Sequence, residues 1–361
     1  MTKALIAMSG GVDSGVAACL MKERGYDCIG VTMKLFHNED IGLSREHSCC
    51  SLDDVEDARS VARRLSMPHY VFNFSERFKE RVVEPFIRAY ENGVTPNPCI
   101  DCNRYLKFDK LFLRARELGC EYVVTGHYAR VAYDESSGRF FLKKGLDEEK
   151  DQSYVLYAMT QEQLKHTRFP LGGLTKPEVR RIAEEHGFIN AGKPESQDIC
   201  FVTKGDYAGF IEEYTGKKYP AGDFVNRRGE IIGRHRGIIH YTVGQRKGLG
   251  IAAGVPLYVS KMDPRRNTVV LGTEAELYTK RIIARDINLI SVSSLTEPKR
   301  LKAMTRYRGK ESRATVIQTD EDTLSIVFDT PQKAVAKGQA VVLYEGDNVV
   351  GGGTIAETAA E

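Results

Sequence analysis

Ala4-Leu5-Ile6-Ala7-Met8 runs straight into Ser9-Gly10-Gly11-Val12-Asp13-Ser14. The apolar run predicts a strand, the two glycines a tight turn, and the residues up to Arg24 a helix. Glycines let backbone N–H groups approach an anion closely, and a helix N-terminus adds positive potential. At the carboxyl edge of an open α/β sheet, where ligands of such folds bind, the stretch is suited to holding phosphate. The plainer reading is a glycine turn with a serine cap. A GxxxxGK[ST] pattern is absent, which argues against ordinary γ-phosphoryl transfer.

Outward from this stretch, short apolar runs alternate with helical patterns, which predicts a doubly wound parallel sheet with covering helices over residues 1–205. Cys28 to Met33 and His69 to Phe74 are the next expected strands. Between them Ser51 and Asp54 suggest a capping box for a helix facing inward through Leu52, Val55, Ala58, Ala62 and Leu65. A helical segment over about 75–92 gives way to Thr95-Pro96-Asn97-Pro98, where two prolines predict an ordered loop rather than helix. Another helix is expected over about 103–118, ended by Gly119, and Glu121 to Thr125 returns to the sheet. Beyond residue 205 the texture becomes glycine-rich and β-like. A small central domain is expected over 206–275, and alternating runs such as Thr323 to Phe328 predict a compact β-barrel over 280–361.

The composition limits what such a chain can be. Its 361 residues, 42% hydrophobic, allow a sizeable core and more than one domain. With 52 Lys and Arg against 49 Asp and Glu the net charge is +3, so any nucleic-acid role must come from local clustering. No apolar run approaches the roughly 18 residues of a membrane span, which sets the expectation of a cytoplasmic protein without membrane contact. Eight cysteines in a chain of this size fit a reducing compartment better than a disulfide scaffold.

Two cysteine settings invite chemistry. Thr95-Pro96-Asn97-Pro98-Cys99-Ile100-Asp101-Cys102-Asn103 puts two thiols at the entrance of a helix, where the dipole favours thiolate. The same CxxC could be half a zinc site completed by Cys49 and Cys50. Cys200, in Glu195-Ser196-Gln197-Asp198-Ile199-Cys200-Phe201, is either a small core residue or a reactive thiol in a polar loop. His69, His235 and His240 have no metal-like spacing and read as structural. Among the basic clusters, the run from Lys299 to Lys310 sets Tyr307 between Arg306 and Arg308, which can combine phosphate attraction with stacking. Charge runs are more often solvated faces.

The six residues Ser9 to Ser14 resemble the PP-loop of the ATP pyrophosphatases. Together with TPNPCIDCN, Tyr105-Leu106-Lys107-Phe108, Thr125-Gly126-His127-Tyr128, Lys150-Asp151-Gln152-Ser153-Tyr154, the segment around Cys200, Tyr241 to Gly248 and Gly351-Gly352-Gly353, they resemble the bacterial tRNA-specific 2-thiouridylases. The resemblance implies a PP-loop domain of the adenine nucleotide hydrolase type, a small central domain and a C-terminal β-barrel. It implies ATP held by Ala7, Met8, Ser9, Gly10, Gly11, Val12, Asp13 and Ser14, with Met33 and Gly126 at the nucleotide. It further implies Cys102 as nucleophile, Cys200 as the thiol that carries sulfur as a persulfide, and tRNA contacts at Asn97, Pro98, Cys99, His127, Lys150, Asp151, Gln152, Arg306, Tyr307 and Gln339.

The expected reaction is ATP-dependent adenylation of O2 of the wobble uridine, with Mg2+ neutralising pyrophosphate. Sulfur transfer then gives 2-thiouridine. Its partners would be tRNA and a cytosolic persulfide donor or carrier protein. The resemblance implies an aspartate, an acid or base near the target uridine, where this chain departs with Cys99, and the third thiol would let Cys99, Cys102 and Cys200 ligate a 4Fe-4S cluster. The metal-free persulfide and disulfide cycle is the preferred reading, with the cluster second and a zinc site third. Two rival functions use parts of the same sequence: another PP-loop ligase would not need the cysteines, and a zinc-containing RNA-binding module would not need ATP.

Overall fold

The computed structural model describes residues 1–36, 52–194, 199–202 and 205–359. Cys49, Cys50, Ser51 and the Ser196-Gln197-Asp198 stretch therefore lie outside the described residues. The chain forms two compact units, one of residues 1–82, 99–205 and 346–349, the other of 83–98, 206–345 and 350–361.

In the first unit β1 (Lys3–Ala7), β2 (Asp27–Lys34), β3 (His69–Asn73), β4 (Tyr122–Val124) and β7 (Thr167–Arg168) build a parallel sheet in the order β3-β2-β1-β4-β7. Between β4 and β7 the chain forms an antiparallel hairpin of β5 (Ala129–Asp134) and β6 (Arg139–Lys144). The helices, in chain order, are α1 (Val12–Glu23), α2 (Leu52–Arg64), α3 (Ser75–Phe78), α4 (Glu84–Glu91), α5 (Pro98–Cys102), α6 (Leu111–Glu117), α7 (Gln161–Lys165), α8 (Lys176–Glu185) and α9 (Tyr207–Thr215). Nearly every residue of α1 from Val12 to Met21 is buried, as befits a helix enclosed on most sides. Its small residues Gly15, Ala17 and Ala18 permit close approach to Val61 of α2, Val179 of α8 and Phe188.

Two expectations are corrected here. The inward face of α2 runs through Asp54, Ala58, Val61 and Ala62 with Val55 half-buried, whereas Leu52, its first residue, is 84% exposed. Pro98 belongs to a helix rather than to the preceding loop. It is the first residue of α5, where proline's missing N–H is not needed and its fixed φ suits the helical turn. The helix expected from Asn103 thus starts five residues earlier, and residues Asn103–Lys110 are π-helical before α6 resumes the normal pitch. A second π-helical stretch, Lys79–Val83, joins α3 to α4.

In the second unit β8 (Gly222–Val225), β9 (Ile231–His235), β10 (Tyr258–Asp263) and β11 (Thr268–Gly272) form a small sheet, ordered β10-β11-β8-β9. Against this background α4 and α9 meet through aromatic rings: Tyr90 stacks on Tyr207 at 4.5 Å and Phe86 meets Phe210 edge-on. Six strands, β12 (Tyr278–Leu289), β13 (Lys299–Met304), β14 (Ser312–Asp320), β15 (Thr323–Lys333), β16 (Ala340–Glu345) and β17 (Asn348–Ala359), follow in the order β12-β15-β14-β13-β16-β17. Pairing of β12 with β17 closes the barrel. Its core is filled by alternate residues, among them Leu301 and Ala303, Ala314 and Val316, Leu324, Ile326 and Phe328.

Candidate functional site

β1 pairs with β2 on one side and β4 on the other, so the strand order reverses at β1. The loop from Met8 to Gly11 leaves its carboxyl end at that switch point, the favoured ligand position of an open α/β sheet. Ser14 closes the loop: its Oγ accepts the Ser9 N–H at 3.1 Å and donates to the Gly11 carbonyl at 2.9 Å. Gly10 has φ +76°, and a Cβ there would lie 2.3 Å from the Asp54 carbonyl. Glycine is therefore required on both counts. Asn190 Nδ2 donates to the Gly10 carbonyl at 2.8 Å, and the Asn190 Oδ1 is buried with no partner among the described residues.

The Asp13 carboxylate carries the loop's charge. Its Oδ1 accepts from Lys176 Nζ at 2.7 Å and from the Tyr128 hydroxyl at 2.8 Å. Lys176, nearly buried at the start of α8, was not among the expected site residues. Its Thr175-Lys176-Pro177-Glu178 context shows in sequence only as a helix start, with Thr175 and Glu178 forming a capping box. Gly126 sits hard against the loop, since a Cβ there would lie 2.8 Å from the Asp13 carbonyl carbon and 2.9 Å from the Ser14 nitrogen. Met33 lies near the end of β2, paired with Phe72 of β3.

The three expected thiols differ in setting. Cys102 is buried at the end of α5, Cys200 is half-buried, and Cys99 is exposed. Phe201, beside Cys200, is anchored edge-on against Phe78 at 5.5 Å. Among the described residues, Cys99, Cys102 and Cys200 do not bring their sulfurs within 4.8 Å of one another, whereas Cys19, Glu23 and His186 do gather ligand atoms to that distance. The former three thus do not form a single-ion site, and nothing in the geometry adds to the cluster reading.

The residues expected at tRNA fall into distinct groups. His127 is buried between the rings of Phe108 and Phe169, its Nδ1 2.6 Å from Thr125 Oγ1. Burial, helped by the nearby Lys107 charge, holds its pKa well below 6.5, so the ring is neutral. Asp151 accepts from Gly145 N, Ser153 N and Ser153 Oγ, and Gln152 exchanges backbone and side-chain hydrogen bonds with the Tyr128 backbone. These two side chains brace the turn beside Tyr128, and Lys150 is half-buried next to them.

In the second unit Gln339 Nε2 donates to the carbonyls of Thr95 and Pro96, fixing the loop just before Asn97. The basic run divides. Lys299, Arg300 and Lys302 lie on β13 and pair with Glu345, Asp329 and Glu311, whereas Arg306 and Arg308 are exposed in the following turn around half-buried Tyr307.

A PP-loop at the switch point of a parallel sheet, followed by β-rich modules, defines an α/β protein of the nucleotide-using PP-loop class. Family models described as tRNA methyl transferase HUP domain, tRNA methyl transferase PRC-barrel domain and Aminomethyltransferase beta-barrel domain match residues 2–204, 208–273 and 279–355. A tRNA-specific 2-thiouridylase of Clostridioides difficile is 52% identical over 98% of both chains. One of Acetivibrio thermocellus is 51% identical over 98% of this chain and 99% of its own. Among solved structures, a 4-thiouridine synthetase in complex with RNA and ATP aligns with 56% of this chain and 46% of its own, at 21% identity and a TM-score of 0.35. The chain belongs to the tRNA-specific 2-thiouridylase family.

Proposed function

We propose that the protein converts the wobble uridine of tRNA to 2-thiouridine. What carries this reading is the presence, in one compact unit, of the PP-loop with its Asp13 clamp and of both Cys102 and Cys200. The chain is also half identical, end to end, to relatives named for that reaction. Residues 1–205 would form the catalytic domain, 206–275 the central domain and 280–361 a barrel that contacts tRNA.

The uridine O2 attacks the α-phosphorus of ATP and pyrophosphate leaves, which turns a poor leaving oxygen into AMP. Loop N–H groups and the α1 N-terminus hold the phosphates. Mg2+ fits here, because it takes carboxylate and phosphate oxygens and Asp13 supplies a partly exposed carboxylate; when bound it would neutralise pyrophosphate. The terminal sulfur of a Cys200 persulfide then attacks C2 and expels AMP. Cys102 thiolate attacks the Cys200 sulfur, breaking the S–S bond and leaving the terminal sulfur on C2. The two cysteines end as a disulfide, which an external dithiol reduces before a cytosolic persulfide donor reloads Cys200. No step is routed through an iron-sulfur cluster. The base must leave its stack to be reached, which an anticodon loop allows.

Incubation with tRNA, ATP and a persulfide source, followed by nucleoside mass spectrometry, tests this. The expected product is 2-thiouridine, lost in Cys102→Ser and Cys200→Ser. AMP release with no thionucleoside would point to another PP-loop ligase, and RNA binding with no ATP turnover to a binding module.

A further inference from the structure

Tyr105 follows Cys102 by three residues, inside the π-helical run Asn103–Lys110. Two guanidiniums lie over its ring: the Arg81 Cζ is 5.4 Å from the centroid and the Arg104 Cζ 5.8 Å. We infer that Arg81, Tyr105 and Arg104 form a phosphate-binding platform for the RNA strand flanking the target uridine. This rests on the thiolation reading, which puts the target base at Cys102.

Two observations lead there. Two cations gathered on one ring are within about 11 Å of each other and repel, so an anion that reaches both is stabilised by both. The ring also orders two long side chains before any ligand arrives, which removes part of the entropy cost of binding. Guanidinium forks match phosphate oxygens better than ammonium groups do. The wider hydrogen-bond spacing of a π-helix recurs at functional sites, and here it begins immediately after Cys102. Lys107 on the same run adds a third positive charge, felt by buried His127.

Arg77, on the preceding helix, is met by Glu80 at 3.8 Å and Asp109 at 3.9 Å. Arg77 also lines an open cleft of about 500 Å3 with Glu76, Glu80, Asp109 and Lys110, and that acidic cleft takes in none of Arg81, Arg104 and Tyr105. An unstacked nucleotide carries a phosphate on each side, and single-stranded loops are held through such backbone contacts together with base contacts.

The test is the salt dependence of tRNA affinity for the full chain, by fluorescence anisotropy. For a single-stranded contact, Arg81→Ala and Arg104→Ala should each lower the slope of log affinity against log salt by about 0.7. Tyr105→Ala should weaken binding roughly two- to fivefold by releasing the guanidiniums, and Tyr105→Phe should not. Arg81 is exposed, so its variant keeps the wild-type melting temperature. Unchanged slopes in both arginine variants, with a wild-type chain that binds tRNA in a salt-dependent way, would overturn the platform and leave thiolation standing. A wild-type chain that binds no tRNA would overturn thiolation and the platform with it.

Discussion

Lys176 donates to the loop carboxylate from a nearly buried position, 9% exposed against 33% for Asp13. A cation so placed can turn from Asp13 to a phosphate oxygen with little reorganisation, and it then opposes the charge that develops as pyrophosphate leaves. Lys176→Met keeps the stem and removes the charge. Breaking a fully buried ion pair costs about 3–5 kcal/mol, but Asp13 reaches solvent and retains Tyr128, so the stability loss should fall short of that. Catalysis is where the loss shows: tRNA-dependent pyrophosphate release should drop by about 10²–10³, the typical effect of deleting one preorganised electrostatic partner. A rate near wild type would leave Lys176 a purely structural partner of Asp13. Lys176→Arg should not restore the rate, because the planar fork cannot occupy the space of an ammonium group.

The PP-loop as an element is a close-packed object, and its constraints reach residues far from it in sequence. A methyl group on Gly126 would meet the backbone between Asp13 and Ser14, atoms that cannot swing aside. Gly126→Ala should therefore weaken ATP binding in a titration while the far-UV spectrum stays native. Unchanged affinity would mean that the loop yields. The basic run makes the opposite point: Arg300 is spent on Asp329, but Arg306 and Arg308 are exposed in the turn. Reversing charge at Arg306 and Arg308 should lower the salt slope of tRNA binding, and reversing Arg300 should leave it unchanged. Equal effects at all three would show that the run acts as one diffuse patch. This division was hidden in sequence because alternating Leu301 and Ala303, which mark an inward-facing strand, are masked by the intervening charges. The first four parallel strands and α1 were legible, since a buried strand and a glycine turn announce themselves within a few residues, whereas the two-residue β7 was not. The Lys176 contact to Asp13 was not, because it joins residues 163 apart. The π-helical run was not either, as its side chains keep a pattern that a normal helix also satisfies.

For the whole molecule, histidines in both units place a common demand on pH. Burial lowers the pKa of His127, His69, His235 and His240 below the ordinary 6.5. Nearby positive charges act in the same direction: Lys107 for His127, Arg59 for His69, Arg234 for His235 and Arg236 for His240. Partial opposition comes from Glu56 at His69, from the Asn267 carbonyl and Asp223 at His235, and from Glu212 and Asp206 at His240. In the unfolded chain each ring titrates near its ordinary value, so below about pH 6.5 the unfolded state binds more protons than the folded one. Stability contributed by the neutral rings is fully present above that pH and is lost as pH falls towards the folded-state values. Carboxylates with depressed pKa, such as Glu91, begin to lose their contribution only as pH falls into the ordinary carboxylate range and finish losing it below that range. Urea midpoints should therefore be flat from about pH 8 to about pH 7 and decline by about pH 5.5. Of the four, His127 is the one held well below 6.5, and it should account for much of the decline. His127→Asn, which keeps a polar group beside Thr125 but cannot titrate, should start less stable and fall less steeply across the same window. Midpoints that rise on acidification, or an identical slope in His127→Asn, would show that these rings are not the groups being protonated.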